Sequence, residues 1–437
     1  MDFDQAVAYL NNLQPLGIRL GLDRFRALLD ALDHPERSCP AAHVAGTKGK
    51  GSVTAMIASI LKQHGVRAGA YLSPYVYDIR ERVQIDDELA PKPLFAQCLD
   101  RVAAAAEAMA DGPDGPCTEF EVKTALAFEA FRTSRVEASV VEVGLGGRLD
   151  ATNVLEPRVC VITTIDYDHC DVLGDTIALI AGEKAGIIKP GTPVVTSPGR
   201  PTALSVIRRR ARELAAPVVT VAPGTGGEAP SVRRAWFGGA SPRVWIATPR
   251  RRYTDLELGL RGDHQARNAA CAATAAEILL EGLGREVASD ALAEGLRTTR
   301  LPGRMEIHGC DPTLVLDGAH NRVSAEALAR SVRALPFKRL VLVVGVSLGH
   351  DPAAFLAPLA GMASRIIATQ AGWRRALPAD EVAAAARRIC ADVRTVTPVE
   401  QSVRQALGDA GAGDLVLVTG SFYVVGEADP KRLGYSD

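Results

Sequence analysis

The residues of this chain whose types and spacing could do chemistry begin with H-V-A-G-T-K-G-K-G-S at 43–52. Small residues let backbone N–H groups approach a phosphate closely, and a helix starting there adds partial positive charge. Gly46, Thr47, Gly49, Gly51 and Ser52 are the candidate cradle. Lys50 can reach β- and γ-phosphates as a compact charge, and Ser52 could help hold Mg²⁺. The Walker pattern G-x-x-x-x-G-K-[ST] is not met. Val44 stands where its first Gly would be, and Gly51 follows Lys50 where Ser or Thr belongs. On the loop alone, a Gly-rich turn with no ligand stays open. Lys48 reads as a solvent-facing side chain.

A second set is Glu142, His169 and Lys184. Glu142 ends the apolar run A-S-V-V-E-V, and His169 follows the end of the next such run. A carboxylate and an imidazole at neighbouring strand ends can share a hard cation whose other ligands are phosphate oxygens and water. Taken singly, a satisfied strand-end Glu and a core His are the commoner explanations. A phosphate loop on the same sheet edge tips the balance to a site. Lys184 lies in A-G-E-K-A-G-I-I, where desolvation disfavours the charged form. A neutral amine can add CO₂ to become a carbamate, but a salt bridge with Glu183 or another acid is the ordinary alternative. Lys189, before Pro190, fits helix C-terminal charge pairing. Only 9 of the 50 basic residues are lysine, and four of them are these: 48, 50, 184 and 189. An arginine could not lose its proton at neutral pH as a carbamate requires.

The elements that must position these residues follow an α/β alternation. Strands are expected at 41–44, 138–143, 159–164, 193–196 and 217–221, with a helix from 52 to about 64. Between 223 and 249 the Gly, Pro and Trp pattern predicts a β-hairpin excursion. An Ala-rich helix is expected at 264–283, and R-T-T-R-L-P-G-R at 297–304 reads as a linker. Further strands follow at 313–316, 339–346, 365–369, 393–396 and 414–419. The reading is therefore two domains, 1–296 and 297–437, as expected when 437 residues exceed what one core can serve. With 47% apolar and 23% charged residues the composition is globular, and a net charge of -1 gives no footprint for nucleic acid or an acidic membrane. The acidic N-terminus is unlike a secretory signal, and no apolar run is long enough to span a membrane. The eight cysteines, at 39, 98, 117, 160, 170, 271, 310 and 390, form no C-x-x-C. A reduced, cytoplasmic protein is expected. Cys170 reads as an incidental thiol.

The departure from the Walker pattern is informative. The loop resembles the G-T-x-G-K-G-S form of the folylpolyglutamate synthase / dihydrofolate synthase family, a branch of the Mur-type ATP-dependent ligases. Other segments agree in order: S-P-Y at 73–75 with I-R-E-R at 79–82, E-F-E at 119–121, and E-V-G-L-G-G-R-L-D-A-T-N at 142–153. D-H at 168–169, L-G-D-T at 173–176 and E-K-A-G-I-I-K-P-G at 183–191 come next. H-Q-x-x-N-A-A at 264–270, P-G-R at 302–304, L-D-G-A-H-N at 316–321 and T-G-S-x-Y-x-V-G-E at 419–427 complete the series.

The resemblance implies a P-loop, parallel-sheet ATPase domain followed by a smaller Rossmann-like α/β domain. It implies ATP and one or two Mg²⁺ as cofactors, with Ser73, Glu142, His169 and a carbamylated Lys184 as metal ligands. It carries nucleotide-holding roles to Asn268, Arg304, Asp317 and His320, and makes Lys50, Glu142, His169 and Lys184 the catalytic group. The implied reaction forms an acyl phosphate on a folate or dihydropteroate carboxylate, which the amine of L-glutamate then attacks. No nucleic-acid or membrane partner is expected, and the protein is expected to be a monomer. Residues 71–82 and 118–121 are the candidate pterin-side segments. Three departures bear on specificity: Tyr75 replaces the usual His, Arg322 the usual Pro, and Gly349-His350-Asp351 stands where D-K-D is usual. Tyr75 and 349–351 keep alive a Mur-type ligase for another acid. A P-loop binding protein without ligase chemistry is the alternative of a different class.

Overall fold

The computed structural model describes residues 1–14, 17, 19–240, 242–309 and 311–435. Cys310 lies outside the described residues. The chain forms two compact units. The first comprises Met1–Ser73, Ile79–Gly259 and His264–Arg300, and the second Pro74–Asp78, Leu260–Asp263 and Leu301–Asp437.

The first unit is built on strands β1 (Ala41–Ala45), β2 (Ala68–Tyr71), β3 (Val83–Ile85), β4 (Glu88–Leu89), β5 (Ala138–Glu142), β6 (Val159–Ile162), β7 (Val194–Thr196), β8 (Val218–Pro223), β9 (Arg234–Ala240), β10 (Arg243–Ala247) and β11 (Arg252–Glu257). They form one sheet in the order β11-β10-β9-β8-β7-β6-β1-β5-β2-β3-β4. From β2 through β5, β1, β6, β7 and β8 to β9 every pairing is parallel. The runs A-A-H-V-A, A-S-V-V-E and V-C-V-I are buried along their whole length. That is why they read as continuous apolar strands rather than alternating ones. The expected hairpin at 223–249 is present as the antiparallel run β9-β10-β11. β2 and the edge strands β3 and β4 were not anticipated: they are two to four residues long, and none carries a run of large apolar residues.

Because β1 lies between β5 and β6, the loops leaving these three strands gather at one edge of the sheet. The helix Lys50–Gln63 follows the first of these loops and is buried from Gly51 to Leu61. Helix Ile177–Ala185 packs with Ile162, Ile187 and Val194 in a core beside the sheet.

The second unit holds β12 (Glu306–His308), β13 (Thr313–Leu316), β14 (Leu340–Val344), β15 (Ala363–Ala368), β16 (Val393–Thr395) and β17 (Leu415–Thr419). Their order is β12-β13-β17-β14-β15-β16. All pairings are parallel except the added edge strand β12. Leu342 and Leu417 face one apolar layer, and Val343 and Val418 the other. Val76 and Tyr77 pack on that second layer, and the Tyr77 hydroxyl donates to Glu306 at 2.9 Å.

Candidate active site

The turn from β1 into helix Lys50–Gln63 depends on two glycines. Gly46 has φ +151°, and a Cβ there would lie 1.8 Å from Thr163 Oγ1. Gly49, the helix N-cap, has φ +90°, and its Cβ would meet Asn268 Oδ1 at 2.6 Å. No side chain caps this helix, so its first N–H groups are left for an anion. The loop is strapped to the segment after β6. Thr47 N–H donates to Thr164 O at 2.7 Å, Thr47 Oγ1 to Asp166 O at 3.0 Å, and Thr163 Oγ1 to Lys48 O at 2.8 Å.

A pocket opens at this edge. Its lining combines Gly46, Thr47 and Lys50 of the loop and helix start, Gly144, Leu145 and Gly146 after β5, and Asp168, His169 and Lys184. Glu142 is buried at the end of β5, and its carboxylate accepts the Ser73 N–H at 2.9 Å. His169 adopts a left-handed backbone with φ +50°, and its side chain is 59% exposed. Lys184 is buried. Burial, with the nearby Lys50 charge adding to it, lowers its amine from the ordinary 10.5 to about 7, against the pull of Asp168 and Asp150. The structure thus gathers Lys50, His169 and Lys184 in the lining of one pocket, with Glu142 and Ser73 joined to each other.

Asn268 also reaches this loop. Its amide donates to Gln265 Oε1 at 2.9 Å, and Gln265 donates to Ser52 Oγ at 3.3 Å. Arg304, Asp317 and His320 lie in the second unit, near the end of β13. The Arg304 guanidinium stacks on Phe422, 4.4 Å from its centroid, and His320 lies 6.2 Å from the same ring. Asp317 accepts the N–H groups of Met305 and Ala319, both at 2.9 Å. Burial pushes its carboxyl up, and Arg304 pulls it down.

Two residues read differently here. Lys48, expected to face solvent, is ion-paired with Asp168 at 3.3 Å. Asp168 is thereby a pocket residue that sequence reasoning passed over, although it adjoins His169. Gln265 was also passed over; only its place three residues before Asn268 hinted at it. Glu121 is spent on structure, capping the Thr118 turn and pairing twice with Arg24 at 2.9 Å. Of the three departures, Arg322 is exposed and pairs with Glu326, Asp351 caps Ala353, and the His350 ring lies 5.7 Å from that of His320.

Among the described residues, no group of three or more His, Cys, Asp or Glu side chains is arranged to hold a metal ion. A cation at this edge would need further oxygen donors. A carbamate on the depressed Lys184 amine would be one, and nucleotide phosphates would be others. The donor set therefore fits Mg²⁺ when those oxygens are supplied.

Two family matches place the chain among the Mur-type ATP-dependent ligases. The Mur ligase middle domain family matches residues 44–276, and the Mur ligase glutamate ligase domain family matches 303–422. The chain belongs to the folylpolyglutamate synthase / dihydrofolate synthase family. It is 34% identical to the dihydrofolate synthase/folylpolyglutamate synthase of Bacillus subtilis (strain 168) over 99% of both chains, and 33% identical to the folylpolyglutamate synthase of Lacticaseibacillus casei over 99% of both. Among solved structures it resembles Mycobacterium tuberculosis folylpolyglutamate synthase complexed with ADP (TM-score 0.88, 31% identity, 100% of both chains). It also resembles Escherichia coli FolC in complex with DHPP and ADP (TM-score 0.85, 30% identity, 99% of both).

Proposed function

We propose that this ligase joins L-glutamate to a folate-type acid, dihydropteroate or a reduced folate, through an acyl phosphate. The observation that carries the reading is the pocket in which Lys50 and the uncapped start of helix Lys50–Gln63 face Lys184 and His169. ATP's γ-phosphoryl group transfers to the acceptor carboxylate, releasing ADP. The glutamate amine then attacks the acyl carbon, and inorganic phosphate leaves as the amide forms.

Phosphoryl transfer asks mainly for positioning and charge neutralisation. Lys50 supplies a point charge beside the β- and γ-phosphates, and the free N–H groups of Gly51 and Ser52 orient the phosphate chain. Asp168 holds the Lys48 charge at the rim. The reading assigns Ser73, Glu142, His169 and carbamylated Lys184 to one or two Mg²⁺, which when bound would neutralise the transferring phosphoryl group. It assigns Asn268, Arg304, Asp317 and His320 to the nucleotide, Arg304 being suited to phosphate by its fork of donors. It also has the protein acting as a cytoplasmic monomer on small molecules. Among the described residues no helix is long and apolar enough to cross a membrane.

The test is ADP release with ATP, Mg²⁺ and L-glutamate in the presence of either dihydropteroate or tetrahydrofolate. Release that depends on one of these acids supports the reading. No release with either removes the folate acceptor, and release with another acid and amino acid would establish the alternative that the changes at Tyr75 and 349–351 keep open.

A further inference from the structure

β1 is buried on both faces and apolar except for one residue, His43, which is wholly buried in its middle. An imidazole is costly there unless it is hydrogen-bonded. Its Nε2 lies 2.8 Å from Thr152 Oγ1. Thr152 Oγ1 in turn lies 2.5 Å from Asp150 Oδ1, and the Asp150 carboxylate also accepts the N–H groups of Thr152 at 3.0 Å and Leu145 at 2.8 Å.

The proton positions follow from this chain. Backbone N–H groups point at both carboxylate oxygens and hold Asp150 as the acceptor end against the burial that raises its carboxyl. Thr152 must therefore give its single hydroxyl proton to Asp150. The histidine nitrogen facing Thr152 must then be the donor, which fixes the Nε2–H tautomer. Nδ1, buried and without a hydrogen-bond partner, is left as a bare acceptor. Burial, with Lys189 adding to it, lowers the His43 imidazole to about 3, so the ring is neutral at working pH.

We infer that His43 is a positioning residue that locks the two backbone walls of the active-site pocket to each other through Thr152 and Asp150. One wall is the phosphate loop, which continues directly from β1. The other is Gly144–Gly146, whose Leu145 N–H is held by Asp150. Three hydrogen bonds in series, His43 to Thr152 to Asp150 to Leu145, are the side-chain tie between them. The pairing of β1 with β5 sets their register, and its last hydrogen bond, Val143 N–H to Val44 O at 2.9 Å, stops one residue short of Gly144. Phosphoryl transfer is sensitive to displacements of about 1 Å, so losing the tie reduces turnover more than nucleotide affinity.

The inference rests on the ligase reading, and its test separates the two. Thr152→Val keeps the shape of the side chain and removes the relay proton. It is expected to lower kcat by about tenfold to a hundredfold while KM for ATP changes by less than about threefold. Thr152→Ser, which keeps the hydroxyl, is expected to restore turnover. A second pair stands independent of whether the valine variant folds. Gln at position 43 can place a donor where Nε2 lies, and Asn is too short, so His43→Gln should retain turnover that His43→Asn loses. A Thr152→Val enzyme within threefold of wild-type kcat, or equal activity in the Gln and Asn variants, overturns the relay. If the wild type itself releases no ADP, the ligase reading fails instead.

Discussion

Lys184→Met tests the electrostatics of the site through stability. The folded chain holds this amine at about 7, against 10.5 for an ordinary lysine. The unfolded chain therefore binds more protons than the folded one between those values, and stability rises with pH across that window. Each pH unit corresponds to about 1.4 kcal/mol, so keeping the amine in place at pH 7 costs the fold about 4 kcal/mol. Methionine is of similar length, is apolar and carries no such cost. The variant should therefore unfold at higher temperature than wild type near pH 7, and the gap should close as pH approaches about 10. The assay is thermal unfolding of both proteins in carbonate-free, metal-free buffer over that range, with ADP release measured in parallel. A gain in stability coupled to loss of activity is the expected pattern for a group retained for chemistry. A methionine variant no more stable than wild type at pH 7, or a difference that ignores pH, would refute the assignment of a desolvated, depressed lysine.

Gly46→Ala should abolish nucleotide binding by calorimetry, because its Cβ would overlap Thr163 Oγ1 and its φ of +151° disfavours any side chain. Arg24→Met leaves the Glu121 carboxylate buried without its partner and should cost about 3–5 kcal/mol in denaturant unfolding. Glu277 is wholly buried, accepting from Tyr253 at 2.7 Å and Thr248 at 2.9 Å on Oε1, while Oε2 has no partner. Burial raises its carboxyl, so the folded state binds the extra proton and loses stability as pH climbs out of the carboxylate range. Glu277→Gln should raise the melting temperature at neutral pH and flatten that part of the profile.

The sheet was legible where burial on both faces demands unbroken apolar runs, as at β5, β6 and β14. It was illegible at β2, β3, β4 and β12, whose short sequences are held as strands by their neighbours rather than by their own pattern. Lys50 and Lys184 could be found because a phosphate loop and an apolar context mark them locally. The pairing of Lys48 with Asp168 could not, since 120 residues separate them and only the fold brings them together. The same holds for Arg24 and Glu121, 97 residues apart. His43 was visible as the first letter of a motif, but its role depends on a hydroxyl 109 positions away.

The second unit's recruitment of residues 74–78 bears on how such ligases can be recombined. The chain passes between the units at five points, not one. A gene fragment beginning at 301 would encode the whole second sheet yet leave Val76 and Tyr77, part of its apolar cover, on the other side of the cut. Glu306 would lose its tyrosine donor, and the backbone oxygen of Val76, which comes within 2.4 Å of where a Gly426 Cβ would stand, would be gone. The second unit of this enzyme is not a portable cassette. A chimera that swaps it for another ligase's must carry that five-residue strap along or supply a matching one.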